Sequence, residues 1–146
     1  MNKIKVLFVC IHNSARSQMA EALLQHHASE MFQVESAGLE PGVLNSIAVQ
    51  AMQEMNIDIS RKQTDSVFEF LKERRSYNFV ITVCDESQSE RCPIFPGYSQ
   101  RLHWSFKDPS SLTGTEEDKL RDTIEIRNKI ELKIIEFIES TKKVLK

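Results

Sequence analysis

Glycine and proline are scarce, with four of each in 146 residues. That excludes collagen-like repeats and argues against a disordered, low-complexity chain. No apolar run approaches the roughly 20 residues of a membrane-spanning helix. The first one, residues 4–9, gives way to polar loop residues and does not read as a signal peptide. Neither sign of charge dominates: 19 Lys and Arg against 21 Asp and Glu leave a net charge of −2. No whole-chain attraction to nucleic acid or an anionic membrane is expected. Cysteine is rare and odd in number, at Cys10, Cys84 and Cys92, which argues against a structural disulfide framework. Zinc is disfavoured too, because Cys84 and Cys92 lack close companion ligands and His12, His26, His27 and His103 are scattered. Inert thiols or redox chemistry remain, in a single domain over residues 1–146 with the cytoplasm as its expected compartment.

Residues 3–10 read as a strand, apolar on both faces as in the centre of a parallel sheet. Residues 15–29 read as a helix, with Met19, Leu23 and His27 four apart and Ala20 and Leu24 beside them. Residues 32–36 alternate as a second strand, which Ala37-Gly38 ends, and Glu40-Pro41-Gly42 makes a turn. Asn45 is a good N-cap for a helix whose Ala48, Ala51, Met52 and Met55 share a face, with Asn56 closing it in a left-handed conformation. A short helix is predicted from Thr64 or Asp65, carrying Val67, Phe70 and Leu71. Residues 79–83 form another central strand that runs into Cys84. Residues 85–99 read as a long loop, a kind that is usually functional or mobile. Residues 101–104 make a short strand. Thr115 and Asp118 resemble a capping box at the head of a final helix that runs to about Ser140. Its expected apolar stripe is Leu120, Ile124, Ile130, Ile134, Ile135 and Ile138, with Lys142, Lys143 and Lys146 fraying beyond.

Strands alternating with helices predict an α/β fold with a four-stranded parallel sheet and helices on both faces. Ligands of such sheets bind outside the carboxyl ends of the strands. Cys10 and Cys84 each end a predicted strand, so the chain brings both to one edge, and Asp108, just past the fourth strand, can reach it.

The stretch Cys10-Ile11-His12-Asn13-Ser14-Ala15-Arg16-Ser17 lies between the first strand and the first helix. Such a turn aims several N–H groups at one spot, and the helix adds its positive end. Five residues between Cys10 and Arg16 suffice to wrap one phosphate-sized oxyanion. The guanidinium of Arg16 offers a planar fork to two of its oxygens. A thiol attacks only as thiolate, which the helix end, Arg16 and the Ser17 hydroxyl all favour. The bland alternative is a buried thiol followed by a surface arginine.

The C-x5-R-S loop with the distant Asp108-Pro109 resembles the low-molecular-weight protein tyrosine phosphatases, and more closely their relatives, the thiol-dependent arsenate reductases. Residues 16–21 look like the reductase branch, since the phosphatases typically carry Pro where Gln18 stands. Ser36-Ala37-Gly38, Ile57-Asp58-Ile59-Ser60, Thr82-Val83-Cys84, Cys92-Pro93, His103-Trp104 and Gly114-Thr115-Glu116-Glu117 extend the likeness over nearly the whole chain.

The resemblance implies a flavodoxin-like three-layer sandwich, a monomer, and an oxyanion loop of Ile11, His12, Asn13, Ser14, Ala15 and Arg16. It further implies that Cys10 attacks arsenate (with phosphate or sulfate as analogues) while Asp108 protonates the leaving oxygen. Cys84 and then Cys92 carry the resulting disulfide outward. Thioredoxin or another thiol-redox protein restores the thiols, with no tightly bound cofactor. Asn13, Glu21, Ser36 and Asp65 match positions that bind potassium in some reductases of the family; taken alone they read as hydrogen bonding that stiffens the loop.

Ile11-His12 replaces residues that are usually small in thioredoxin-linked reductases, and His12-Asn13 also resembles reductases served by mycothiol or glutaredoxin. The spacing from Cys84 to Cys92 is one residue longer than the family pattern. Ser110 stands where the phosphatases usually place an aromatic wall, which favours a small inorganic oxyanion. Two alternatives stay open: a tyrosine phosphatase using Cys10, Arg16 and Asp108, and a module that binds an oxyanion without turnover.

Overall fold

The strand Ile4–Cys10 (β1) is apolar on both sides because both of its faces are covered. In the computed structural model, which describes residues 3–84 and 99–144, it is followed by the helix Arg16–Ala28 (α1), the strand Phe32–Gly38 (β2) and the helix Ser46–Gln53 (α2). The helix Val67–Lys72 (α3), the strand Phe79–Cys84 (β3), the strand Gln100–Ser105 (β4), a 3-10 turn over Pro109–Ser111 and the helix Glu116–Val144 (α4) complete the order. Four strands pair in parallel in the order β2-β1-β3-β4. This flavodoxin-like order reverses between β1 and β3, the place where such sheets bind ligands at their carboxyl ends. No helix among the described residues is long and apolar enough to cross a membrane.

The two faces of β1 build two cores. Val6, Phe8 and Cys10 face α1, α2 and α4, while Leu7 and Val9 pack with Val67, Phe70, Tyr77 and Val80 on the α3 side. α4 lays Phe137 across the sheet, with ring centroids 5.5 Å from Phe32, 5.1 Å from Phe79 and 5.8 Å from Trp104. Arg127 of α4 is 6% exposed and donates to the Ala51 carbonyl at 2.7 Å, near the end of α2, where a cation suits the helix dipole.

Several expectations shift in detail. β2 continues through Ala37 and Gly38 rather than ending before them. α3 begins at Val67, capped by Ser66, which accepts the Phe68 N–H at 3.2 Å. α4 extends to Val144, so Lys142 and Lys143 are helical; Thr141 is buried and its hydroxyl donates to the Phe137 carbonyl at 2.8 Å. The stripe of α4 is centred on Ile126, Ile130, Ile134, Phe137 and Ile138, leaving Ile135 41% exposed. His27 lies on the outer flank of α1, where its ring meets Glu131 of α4 at 2.8 Å. The long loop predicted over residues 85–99 and the terminal Lys146 lie outside the described residues, except for Ser99.

The capping box forms as read: Asp118 N–H donates to Thr115 Oγ1 at 3.1 Å, and Asp118 Oδ2 accepts the Thr115 N–H at 3.2 Å. The backbone bond from Thr115 leads the causes that hold the Asp118 carboxyl below its ordinary value of 3.8. A depressed folded-state value stabilises the fold above the unfolded value, and that stabilisation is lost as pH falls through the lower folded value. Asp118→Ala should therefore lower Tm slightly at neutral pH, and the gap from wild type should close in acid. Thermal melts across that range check it.

Candidate active site

The chain leaves β1 at Cys10 and turns at Asn13, which holds the left-handed conformation at φ 53° that asparagine tolerates better than most residues. It enters α1 at Arg16. Residues 39–45 run alongside and take the carbonyls of this turn. Leu39 N–H donates to Cys10 O at 3.1 Å, Glu40 to Ile11 O at 2.7 Å, Gly42 to His12 O at 3.0 Å, and Asn45 to Ser14 O at 2.9 Å. In a planar peptide the N–H points away from the carbonyl. With four carbonyls turned outward, the N–H groups of Ile11, His12, Asn13 and Ala15 turn to the opposite, concave side. Ala15, the N-cap of α1, offers no side-chain cap, so the first-turn donors of that helix face the same side. Gly38 makes this closeness feasible: a Cβ there would lie 2.8 Å from Asn13 N and from Ile11 O.

Cys10 is 2% exposed and sits at the floor of this cradle. Its sulfur accepts the Asn13 N–H at 3.0 Å and lies 2.9 Å from Ser17 Oγ. Asn13 Nδ2 donates to Ser17 Oγ at 2.7 Å, which leaves the Ser17 proton to point at the sulfur. Three donors thus converge on the site from Asn13, Ser17 and the helix end, an environment suited to a thiolate. Asn13 itself is clamped. Its Oδ1 accepts from Asp65 N–H at 2.9 Å and from Gln18 Nε2 at 3.1 Å, and Gln18 Nε2 also reaches Gln63 O at 2.9 Å. Gln18, noted above only as a departure from the phosphatase pattern, is a fully buried brace of the loop.

Arg16 is 3% exposed. Its Nη1 donates to Phe106 O at 3.1 Å, and its Nη2 stands 3.5 Å from Asp108 Oδ2. Asp108 also caps the short 3-10 turn, with Oδ1 accepting the Ser110 N–H at 2.9 Å, so the carboxyl is held at the rim opposite the guanidinium. Ser110 Oγ accepts from Asn45 Nδ2 at 3.1 Å. His12 is exposed and its Nδ1 donates to Glu40 O at 2.9 Å, turned to the bracing segment. Ile11 and Ser14 are half-buried along the loop, while Ala15 is buried.

Cys84 is fully buried, and it ends β3 beside β1. Val9 pairs with Thr82, so Cys84 sits one residue beyond the level of Cys10. Strand spacing and rise put the two Cα atoms about 6 Å apart, within disulfide range. Alternation opposes their side chains: Ile81 and Val83 share the face of Cys10, whereas Cys84 follows Val80 and Thr82 on the other. Joining them therefore requires the last residue of β3 to turn over. The Cys84 carbonyl accepts the Phe106 N–H at 3.3 Å, and the Phe106 carbonyl accepts from Arg16, so one residue links the second cysteine to the arginine. Cys92 lies outside the described residues.

Asn13, Glu21, Ser36 and Asp65 gather behind the loop. Ser36 Oγ donates to Glu21 Oε1 at 2.6 Å and accepts from Asn13 Nδ2 at 3.0 Å. The reading from sequence passed over Lys62, whose ammonium contacts Glu21 Oε2. Lys62 belongs to no periodic element, and no local signal in the sequence marks it.

A buried thiol, an arginine and a carboxyl around a strand–loop–helix cradle make a candidate site for a tetrahedral oxyanion. The model of the low molecular weight phosphotyrosine protein phosphatase family matches residues 5–146, and the chain belongs to that family. An arsenate reductase of Shouchella clausii is 38% identical over 140 residues, covering 96% of this chain and 99% of the relative. The crystal structure of an arsenate reductase from Archaeoglobus fulgidus, 30% identical, superposes with a TM-score of 0.65 over 88% of this chain and 98% of that one. The thioredoxin-dependent arsenate reductase of Corynebacterium glutamicum, 26% identical, superposes with a TM-score of 0.69 over 99% of this chain and 64% of its own.

Proposed function

We propose that this protein reduces arsenate to arsenite at Cys10 and is regenerated by a thiol-redox protein of the thioredoxin type. Cys10 thiolate attacks arsenate(V) in the cradle, with Arg16 and the loop N–H groups on its oxygens. Asp108 gives a proton to the departing oxygen, which leaves as water. The product is a Cys10 thiol–arsenate ester, still As(V). Cys84 thiolate then attacks the sulfur of Cys10. The S–As bonding pair stays on arsenic, arsenite(III) leaves, and a Cys10–Cys84 disulfide forms. Cys92 attacks Cys84 in turn, which releases Cys10 as thiolate and moves the disulfide to Cys84 and Cys92. An external dithiol reduces that bond.

The observation that carries this assignment is the place of Cys84: a buried cysteine on the strand next to Cys10, at disulfide-compatible backbone distance. A phosphatase has no use for it. The names of the relatives support the same activity, and potassium plays no part in the steps above. The phosphatase alternative draws on the family name and on Cys10, Arg16 and Asp108, which could equally serve a phosphocysteine intermediate.

Arsenate-dependent turnover should be measured side by side with thioredoxin, glutaredoxin–glutathione and mycothiol as reductants. Arsenite is expected, with thioredoxin the most effective. No arsenite with any of them, together with brisk aryl phosphate hydrolysis, would overturn the assignment in favour of the phosphatase.

A further inference from the structure

Glu21 is 4% exposed, yet it is a carboxylate directly behind an anion-binding loop. A buried charge of this kind needs a partner. Its Oε2 has one in the ammonium of Lys62, and its Oε1 accepts from Ser36 Oγ. From there the bonds continue without a gap: Asn13 Nδ2 donates both to Ser36 Oγ at 3.0 Å and to Ser17 Oγ at 2.7 Å, and Ser17 meets the sulfur of Cys10 at 2.9 Å. Lys62 is thus connected to the nucleophile through four side chains.

The same four positions that bind potassium in some relatives do not fit that ion here. A hard cation needs several oxygens turned inward on it. With the Lys62 ammonium on Glu21 Oε2, the nitrogen side of Asn13 is turned to Ser17 and Ser36, and its Oδ1 is turned away to Asp65 N–H and Gln18 Nε2. Among the described residues no group of three His, Cys, Asp or Glu is placed to hold a metal.

We propose that Lys62 is the resident cation of this site, a positioning residue whose ammonium replaces the monovalent ion and fixes Glu21, Ser36, Asn13 and Ser17 behind Cys10. The role rests on Cys10 being the nucleophile, but it does not depend on arsenate being the substrate. The ammonium pairs with one oxygen of Glu21, Ser36 donates to the other, and Ser36 in turn accepts from Asn13. That sets the orientation of the Asn13 amide, and with it the direction of the Ser17 hydroxyl. The wild-type enzyme should need no added potassium.

The test compares wild type, Lys62→Met and Lys62→Arg in choline chloride, KCl and NaCl at equal ionic strength. The reading is the carbamidomethylation rate of Cys10 at pH 7, followed by peptide mass spectrometry. Wild type should react equally fast in all three salts. Lys62→Met should react about tenfold more slowly in choline chloride, the scale of one charge-assisted hydrogen bond, and recover in KCl more than in NaCl. Lys62→Arg should stay close to wild type. Selective acceleration of the wild type by potassium would overturn the proposal, as would an unchanged rate in Lys62→Met. A slow Lys62→Met that no cation restores would make Lys62 a packing residue only and overturn it too. Because alkylation needs no arsenate, absence of arsenite from the wild type would sink the reductase assignment and leave this measurement intact.

Discussion

Replacing Cys84 with serine is expected to stop catalytic arsenite production while leaving the oxyanion cradle in working order. Serine keeps the size of the side chain but is no nucleophile towards sulfur, so the Cys10 thiol–arsenate ester has no internal resolving group. Turnover should fall by roughly 10³-fold or more, the scale seen when one member of a catalytic unit is removed. Any hydrolysis of aryl phosphates by the wild type should persist, since that chemistry uses Cys10, Arg16 and Asp108 alone. Assaying arsenite release and aryl phosphate hydrolysis on the same preparation separates the two activities. Because Cys84 is fully buried, the hydroxyl also costs about 1–3 kcal/mol if it finds no good partner, so a thermal melt must accompany the kinetics and Cys84→Ala serves as the apolar control. Wild-type arsenate turnover in both variants would refute the relay.

The geometry adds a mechanical condition to that relay. Cys84 is one register step past Cys10, and strand alternation sets it on the opposite face of the sheet, so the proposed relay would require β3 to release its last residue before the sulfurs meet. Phe106 N–H to Cys84 O, at 3.3 Å, is one of the bonds that tie this residue to the β4 side. The same Phe106 anchors Arg16. In the proposed relay, turning Cys84 over would therefore loosen one attachment of the guanidinium at the step in which arsenite departs.

How far the sequence foretold this arrangement depends on the range of the contacts involved. The oxyanion loop was legible because its causes are local: an apolar strand, a short polar turn with an asparagine at φ 53°, and a helix that starts at Arg16. Cys84 was legible for a similar reason, as the end of a β-branched run. Gly38 does end β2, but its tertiary function is not legible in the sequence: the missing side chain admits the loop backbone. The head of α3 was placed too early because a helix of six residues shows too little periodicity to locate its cap. On α4 several isoleucines could share a stripe, and only the position of the sheet aromatics decides that Phe137 points inward and Ile135 does not. The contact of Lys62 and the bracing role of Gln18 are not legible in the sequence because their partners lie far away along the chain or belong to backbone, as in the bond from Gln18 to Gln63 O.

Arg16→Lys should cost about 10²–10³-fold in kcat/KM for arsenate, although the charge is kept. Lysine offers a point charge on a flexible stem, whereas the guanidinium presents a rigid fork to two oxygens of the tetrahedral anion. Here that fork is also fixed in place, since Nη1 is tied to Phe106 O and Nη2 faces Asp108 Oδ2. A lysine ammonium could not satisfy the carbonyl, the carboxylate and the substrate with the same geometry. Both constants should suffer: KM because the ground-state anion is held less well, and kcat because charge shifting onto the departing oxygen is less well met. Asp108 provides a second route to the loss. It stands 3.5 Å from Arg16 Nη2, so an arsenate bound on that guanidinium would come to lie beside the carboxyl. A misplaced cation disturbs that placement. Steady-state kinetics against arsenate, with the stabilisation of each variant by phosphate or sulfate read from thermal melts, separates binding from chemistry. A lysine variant that keeps wild-type kcat/KM would show that a point charge suffices and that the fork has no part in the transition state.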